Sequence, residues 1–155
     1  MMEDHLRKAK QLALKLLARR EHSVQEMKAY LQRRSFTQEV IEETIQWLLE
    51  LDYLNDRRFA EEFIRFRILR SGYGPRKIQW ELTAKGVESE LVEQLLGELY
   101  PPEEEERQGM EVAARWMQRR TKPYDPAQLY RYLVGRGFSP GLARRIAVCG
   151  THEDS

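Results

Sequence analysis

A chain of 155 residues can form one compact domain or a short array of small units; with 41% hydrophobic and 33% charged residues it suits an extended protein with much surface. It has no apolar run long enough to cross a bilayer and no signal-peptide pattern, and its single Cys149 cannot close an internal disulfide, so a cytoplasmic setting without membrane contact is expected. The net charge of +1 conceals blocks of alternating sign: +5 over residues 1–36, −6 over 37–64, +5 over 65–85, −8 over 86–106, +7 over 107–145 and −2 in the last ten.

Apolar periodicity predicts helices throughout. The first, over 4–20, carries Leu6, Ala9, Ala13, Leu16 and Leu17. Ser23 opens the second with Glu26 at capping-box spacing, and Met27 and Leu31 mark its buried face. Thr37 caps a third, whose stripe is Val40, Ile41, Ile45 and Leu48. A longer helix over 57–71 follows with Phe59, Phe63, Ile64 and Phe66. Gly74-Pro75 starts the next, with Ile78 and Leu82 inward and Gly86 as its left-handed end. The sixth carries Leu91, Val92, Leu95, Leu96 and Leu99 before Pro101-Pro102 breaks the chain. Acidic residues 103–106 load the first turn of a helix over 103–120, on which Met110, Ala113, Ala114, Trp116 and Met117 form the apolar side. Asp125-Pro126 opens the eighth helix, with Leu129, Leu133 and the terminating Gly137. Ser139 with Pro140 caps the last.

The second helices repeat at a spacing of 51 residues. Ser23, Gly74 and Asp125 begin the register; Met27, Ile78 and Leu129, then Leu31, Leu82 and Leu133, continue it. Arg34, Lys85 and Arg136 follow, then Ser35, Gly86 and Gly137, and then Phe36, Val87 and Phe138. A spacing held twice without gaps is the signature of tandem units. The expected fold is therefore all-α: three tandem three-helix repeats, 1–52, 53–101 and 102–150, forming an elongated, curved solenoid with a disordered tail at 151–155.

Catalytic chemistry finds no footing in this pattern. His5, His22 and His152 lie far apart with no cysteine pairs, no phosphate-cradling glycine loop is present, and paired acids such as Glu42/Glu43 fall on helix surfaces. A non-enzyme without metal or cofactor is expected. What remains is basic: Arg65, Arg67, Arg70, Arg76, Lys77 and Lys85 interleaved with Tyr73 and Trp80, then Arg115, Arg119, Arg120 and Arg131 with tyrosines in the third repeat. Such mixing suits a phosphate backbone or an acidic partner surface.

Three segments resemble the RecX family. Arg20-Glu21-His22-Ser23 with Gln25-Glu26-Met27 is similar to its R-x-H-S-x-x-E-L opening. Tyr53-Leu54-Asn55-Asp56 with Phe59-Ala60 resembles its Y-L-[ND]-D-x-x-F-A motif, with Asp52 where a glycine often precedes the tyrosine. Gly74 to Ile78, Glu81-Leu82 and Lys85-Gly86-Val87 resemble its G-x-x-[KR]-I-x-x-E-L-x-x-K-G-[IV] segment. The resemblance implies a cytoplasmic regulator of the RecA recombinase. It implies that this regulator lies in the groove of the RecA–DNA filament and restrains filament growth, ATP hydrolysis, strand exchange and the SOS coprotease function. A monomer suffices for that work, with single- or double-stranded DNA as a weaker partner. Within the motifs, His22, Ser23, Tyr53, Leu54, Asp56, Phe59, Ala60, Gly74, Ile78, Leu82 and Gly86 read as architectural: Asp56 as the N-cap of the fourth helix, Phe59 as packing repeat two on repeat one.

Two other readings compete. A plain DNA-binding protein would use the second and third helices of each repeat as a helix-turn-helix, but the third helices are acidic (Glu39, Glu42, Glu43; Glu88, Glu90, Glu93), which opposes entry into a groove. A generic helical interaction scaffold would need no nucleic acid at all.

Overall fold

The structure is a computed structural model describing residues 1–152. Nine helices and no strands are found among these residues. Repeat one holds α1 (Met2–Arg19), α2 (Val24–Arg33) and α3 (Gln38–Glu50); repeat two holds α4 (Asp56–Arg70), α5 (Pro75–Ala84) and α6 (Ser89–Leu99); repeat three holds α7 (Pro102–Gln118), α8 (Pro126–Gly135) and α9 (Pro140–His152). Of the expected tail at 151–155, Thr151 and His152 belong to α9 and the rest lies outside the described residues.

The middle helices α2, α5 and α8 carry the repeat most plainly. Each has ten residues and is C-capped by Arg34, Lys85 or Arg136. The next residue takes positive φ: +66° at Ser35, +86° at Gly86 and +102° at Gly137. Three Schellman closures result. The amide of the residue after the bend donates to the carbonyl five back, Phe36 to Leu31, Val87 to Leu82 and Phe138 to Leu133, at 3.1–3.3 Å. Ser35 adopts the same bend as the glycines, at the steric cost of a Cβ in left-handed backbone.

Each repeat closes its own core. Met27, Leu31, Ile41 and Leu48 fill the first together with Leu54, which reaches back from the start of repeat two. Phe59, Ile64, Ile78, Leu82 and Leu95 fill the second, and Trp116, Leu129, Leu133 and Phe138 the third.

The repeats then join end to end through the middle helices. At the first junction the Ser23 hydroxyl, at the start of α2, donates to the Lys85 carbonyl at the end of α5 (2.8 Å). At the second, the amides of Gly74 and Arg76, at the start of α5, donate to the carbonyls of Arg136 and Gly137 at the end of α8 (2.8 and 3.0 Å). Helix starts thus meet helix ends twice, so that opposite dipole ends face each other and otherwise orphaned carbonyls find donors. This end-to-end joining makes the solenoid elongated.

Several local expectations are corrected. The N-cap of α4 is Asn55, whose side chain accepts from the Arg58 amide (3.0 Å). Asp56 instead reaches across the first junction and accepts the Val24 amide at the start of α2 (2.8 Å). Phe59 lies in the core of repeat two, against Phe63, and also lines a cleft together with Arg20 and Glu21 of repeat one. On α4, Phe66 is exposed. On α7 the buried face is Gln108, Gly109, Val112, Ala113 and Trp116, and Met110 and Ala114 point out. Gly109 allows that rotation, because a Cβ there would stand 3.0 Å from Ile146 and 3.4 Å from Leu142 of α9. Ser139 sends its hydroxyl to Glu105 of α7 (2.8 Å), tying α9 to α7.

Candidate partner-binding surface

Cations and rings form one continuous series of contacts across repeats two and three. Lys85 lies 5.9 Å from the Phe63 ring, and Arg67 lies 4.8 Å from Phe63 and 5.4 Å from Tyr73. Arg136, from repeat three, stacks on Tyr73 at 4.7 Å and on Tyr132 at 5.9 Å. Tyr132 is 5.9 Å from Trp116, which Arg120 covers at 4.0 Å. Lys77 adds a third cation over Tyr73 at 4.4 Å. The Tyr73 backbone is itself held, since its carbonyl accepts the Tyr100 hydroxyl (2.8 Å), which burial pushes above its ordinary pKa and keeps protonated.

The expected basic residues are of two kinds. Arg67 is bound to Glu81 (2.8 Å) and Lys85 to Glu26 (3.1 Å), both half-buried pairs, and Arg115 meets Glu111 at 3.8 Å on the surface. Arg67 and Lys85 are thus committed to holding α4 on α5 and repeat one on repeat two. By contrast, no carboxylate of the described residues lies within ion-pair distance of Arg65, Arg70, Arg76, Lys77, Arg119, Arg120 or Arg131. Apart from half-buried Lys77, all of these are exposed. Arg136, absent from the sequence-derived set, is the cation that ties repeat three to Tyr73; its homologous position to Lys85 in the 51-residue register was the available signal.

The first junction is the most ionic part of the molecule. Glu26 completes the α2 capping box with Ser23 and also receives Arg20 (3.3 Å) and Lys85 (3.1 Å). Burial works to raise its pKa, but the hydrogen bonds from Arg20, the Ser23 amide and Lys85 prevail and hold it below 4.5. His22 is buried beside it; burial first, and then the Arg20 charge, lower its pKa below 6.5, so it is neutral at pH 7. Its Nδ1 is 2.9 Å from the Arg20 carbonyl, which can only accept, so Nδ1 carries the proton. Arg58 bridges Glu21 (2.6 Å) and Asp52 (3.2 Å) on the flank.

No group of three or more His, Cys, Asp or Glu side chains able to hold a metal ion occurs among the described residues, and no helix among them is long and apolar enough to cross a membrane.

Comparison with known proteins places this architecture. Residues 9–48 match the family model described as the first three-helix domain of RecX, and residues 55–96 match its second. A "Regulatory protein RecX" from Thermus thermophilus is 37% identical over 84% of this chain and 84% of its own length. The chain belongs to the RecX family. A RecX regulatory protein from Chlorobium phaeobacteroides is 31% identical over 89% of this chain and 90% of its own length. Another from Oceanobacillus iheyensis is 34% identical over 99% of this chain, which spans just 57% of that relative. A crystal structure of RecX from Lactobacillus salivarius superposes with a TM-score of 0.82 at 25% identity, covering 93% of this chain and 95% of the other.

The RecX motifs now acquire physical reasons. Asp52, standing where the family often has glycine, has φ +58°, the left-handed bend that ends α3 and turns the chain into repeat two. Leu54 is buried in the core of repeat one, while Tyr53 is half exposed and packs edge-on against Trp47. Ala60, Ile78 and Leu82 are fully buried. Gly74 and Gly137 approach so closely that a Cβ on Gly74 would overlap the Gly137 carbonyl and the Phe138 amide.

Proposed function

We propose that the chain is a non-enzymatic regulator that binds the RecA–DNA filament in the cytoplasm and restrains RecA activity: filament growth, ATP hydrolysis, strand exchange and the SOS coprotease function. Membership of a family of regulatory proteins supports the general role. The observation that carries the reading is the division of the cations. Arg67 and Lys85 hold the fold, while Arg65, Arg70, Arg76, Arg119 and Arg131 stand exposed along repeats two and three with no carboxylate of the described residues as partner. Exposed cations without carboxylate partners on two successive repeats suit a partner that presents negative charge at successive positions, as a nucleoprotein filament does, with DNA phosphates meeting some of them. The acidic third helices α3 and α6 oppose the alternative of groove entry as a helix-turn-helix.

The test is direct binding to RecA filaments on single-stranded DNA, followed by fluorescence anisotropy of the labelled chain. Reversing charge at Arg119 and Arg131 together should weaken binding and flatten its salt dependence with the thermal midpoint unchanged, because both side chains are exposed and pair with no carboxylate of the described residues. Unaltered binding by that variant would remove these cations from the mechanism.

A further inference from the structure

The two junctions occupy the same place in the 51-residue register, yet different forces hold them. Close helix packing stays within the repeats, α1 and α2 on α3, α4 and α5 on α6, α7 and α8 on α9. What joins one repeat to the next is therefore the connecting chain and the contacts at the ends of the middle helices. At the second junction these contacts are made by backbone. The Gly74 and Arg76 amides bond directly to the Arg136 and Gly137 carbonyls, and the two glycines touch with no side chain between them. Arg136 adds a bond to the Ser71 carbonyl and its stack on Tyr73.

At the first junction side chains take over. The Ser23 hydroxyl and the Gln25 amide group reach the Lys85 and Ala84 carbonyls (2.8 and 3.3 Å), and the Asp56 carboxylate accepts the Val24 amide (2.8 Å). Two ion pairs complete it, Glu21 with Arg58 (2.6 Å) and Glu26 with Lys85 (3.1 Å), whose side chains are between 18% and 36% exposed. No backbone-to-backbone bond joins α2 to α5 among the described residues. Open space flanks the joint on two sides. Arg20 and Glu21 share a cleft of about 380 Å³ with Phe59 and Phe63, and His22 and Gln25 share another of about 340 Å³ with Ala84 and Lys85. The connecting chain sets the pivot: Leu54 is buried in the core of repeat one, while Asn55 caps α4 of repeat two. The contacts reaching across that pivot again come from side chains, Asn55 and Arg58 to Asp52.

We infer that the first junction is a salt-sensitive hinge on which repeat one swings as a body, while repeats two and three move as one. Turning repeat three would break backbone bonds and separate two glycines in contact. Turning repeat one requires new rotamers and the opening of part-exposed ion pairs, which are individually weak and screened by salt. A pivot of one or two residues at the end of an element is the ordinary form of a domain hinge. To a partner that spans all three repeats it offers one adjustable angle.

The hinge is tested on the chain alone by pulsed electron paramagnetic resonance with pairs of nitroxide labels. Glu43→Cys with Glu93→Cys spans the first junction, and Glu93→Cys with Arg144→Cys spans the second, both in a Cys149→Ser background; all four positions are exposed. Raising the salt from about 0.1 M to about 1 M shortens the screening length from about 10 Å to about 3 Å. Weakening the two pairs should raise the population at displaced distances across the first junction by roughly 2- to 30-fold. The distance distribution across the second should stay narrow and unaltered. Glu21→Gln with Glu26→Gln should reproduce the salt effect at low salt, since glutamine at position 26 keeps the capping box and helical circular dichroism then reports an intact fold. A first-junction distribution that ignores both salt and the double substitution would overturn the hinge. So would a second-junction distribution that broadens as much or more.

Discussion

Gly74→Ala is the substitution on which the end-to-end joining of the repeats depends most. Gly74 begins α5 with an ordinary extended backbone, so the reason for glycine is space and not conformation. An added Cβ would overlap the carbonyl of Gly137 and the amide of Phe138, and these are backbone atoms fixed by the Schellman closure of α8. The strand of chain entering α5 must therefore move away. It takes with it the bonds from the Gly74 and Arg76 amides to the end of α8. Two buried backbone hydrogen bonds contribute about 2 kcal/mol together, and overpacking of this kind costs roughly 1–3 kcal/mol, so the coupling of repeats two and three should fall by roughly 3–5 kcal/mol. Urea unfolding of the variant, followed by Trp116 fluorescence for repeat three and by helical circular dichroism for the whole, should resolve two separate transitions. Native-state hydrogen exchange should show the Gly74 and Arg76 amides losing protection first. A single transition with an unaltered midpoint and slope would refute the steric reasoning.

Gly97→Ala is the matching control: no atom lies within 4 Å of a Cβ there, and the site is inside α6, so the variant should gain about 0.5–1 kcal/mol by urea titration. Asp56→Ala should lose about 1–2 kcal/mol by urea titration, because it deprives the start of α2 of its cross-junction acceptor, whereas Asn55→Ala should lose the α4 cap instead. Glu26 has a folded pKa below that of the unfolded chain, so its contribution is complete above about pH 4.5 and disappears as pH falls through the folded value. Glu26→Gln should be less stable than wild type at pH 7, and the gap should close on acidification; a constant gap from pH 7 to pH 3 would contradict the assignment. His22, neutral in its buried place and lowered in pKa, acts in the same direction at a higher pH: stability should begin to fall below about pH 6.5 and should fall less in His22→Asn.

Much of this fold is legible in the order of residues because the repeat is carried by backbone chemistry. A cap residue, two apolar residues four apart, a left-handed end and an aromatic or valine after it recur at 51-residue spacing, and each has one structural meaning. Where two residues could play the same local role, sequence does not choose. Asn55 and Asp56 are both capping types, and the choice is made by the Val24 amide, which lies 32 residues away. The face of α7 is ambiguous for a similar reason: Gly109 counts as a weak helix residue until α9 is seen to press against it. The basic residues show the limit most clearly. Arg67 and Arg70 look equivalent along α4, yet Glu81 neutralises one and no carboxylate of the described residues pairs with the other. Lys85 is claimed by Glu26 across 59 residues of chain. Trp80, equally suited to a core or to a surface, stands outside because Ile78 and Leu82 set the phase of α5.

The central claim is tested most directly by the ATPase rate of cognate RecA on single-stranded DNA as the chain is added. Restraint by filament binding predicts a fall in rate at well below one chain per RecA subunit, weakened in parallel by charge reversal at Arg119 and Arg131. A rate that holds steady at every ratio, with binding to bare DNA intact, would contradict the account and leave a DNA-binding protein that shares the family's fold without this action.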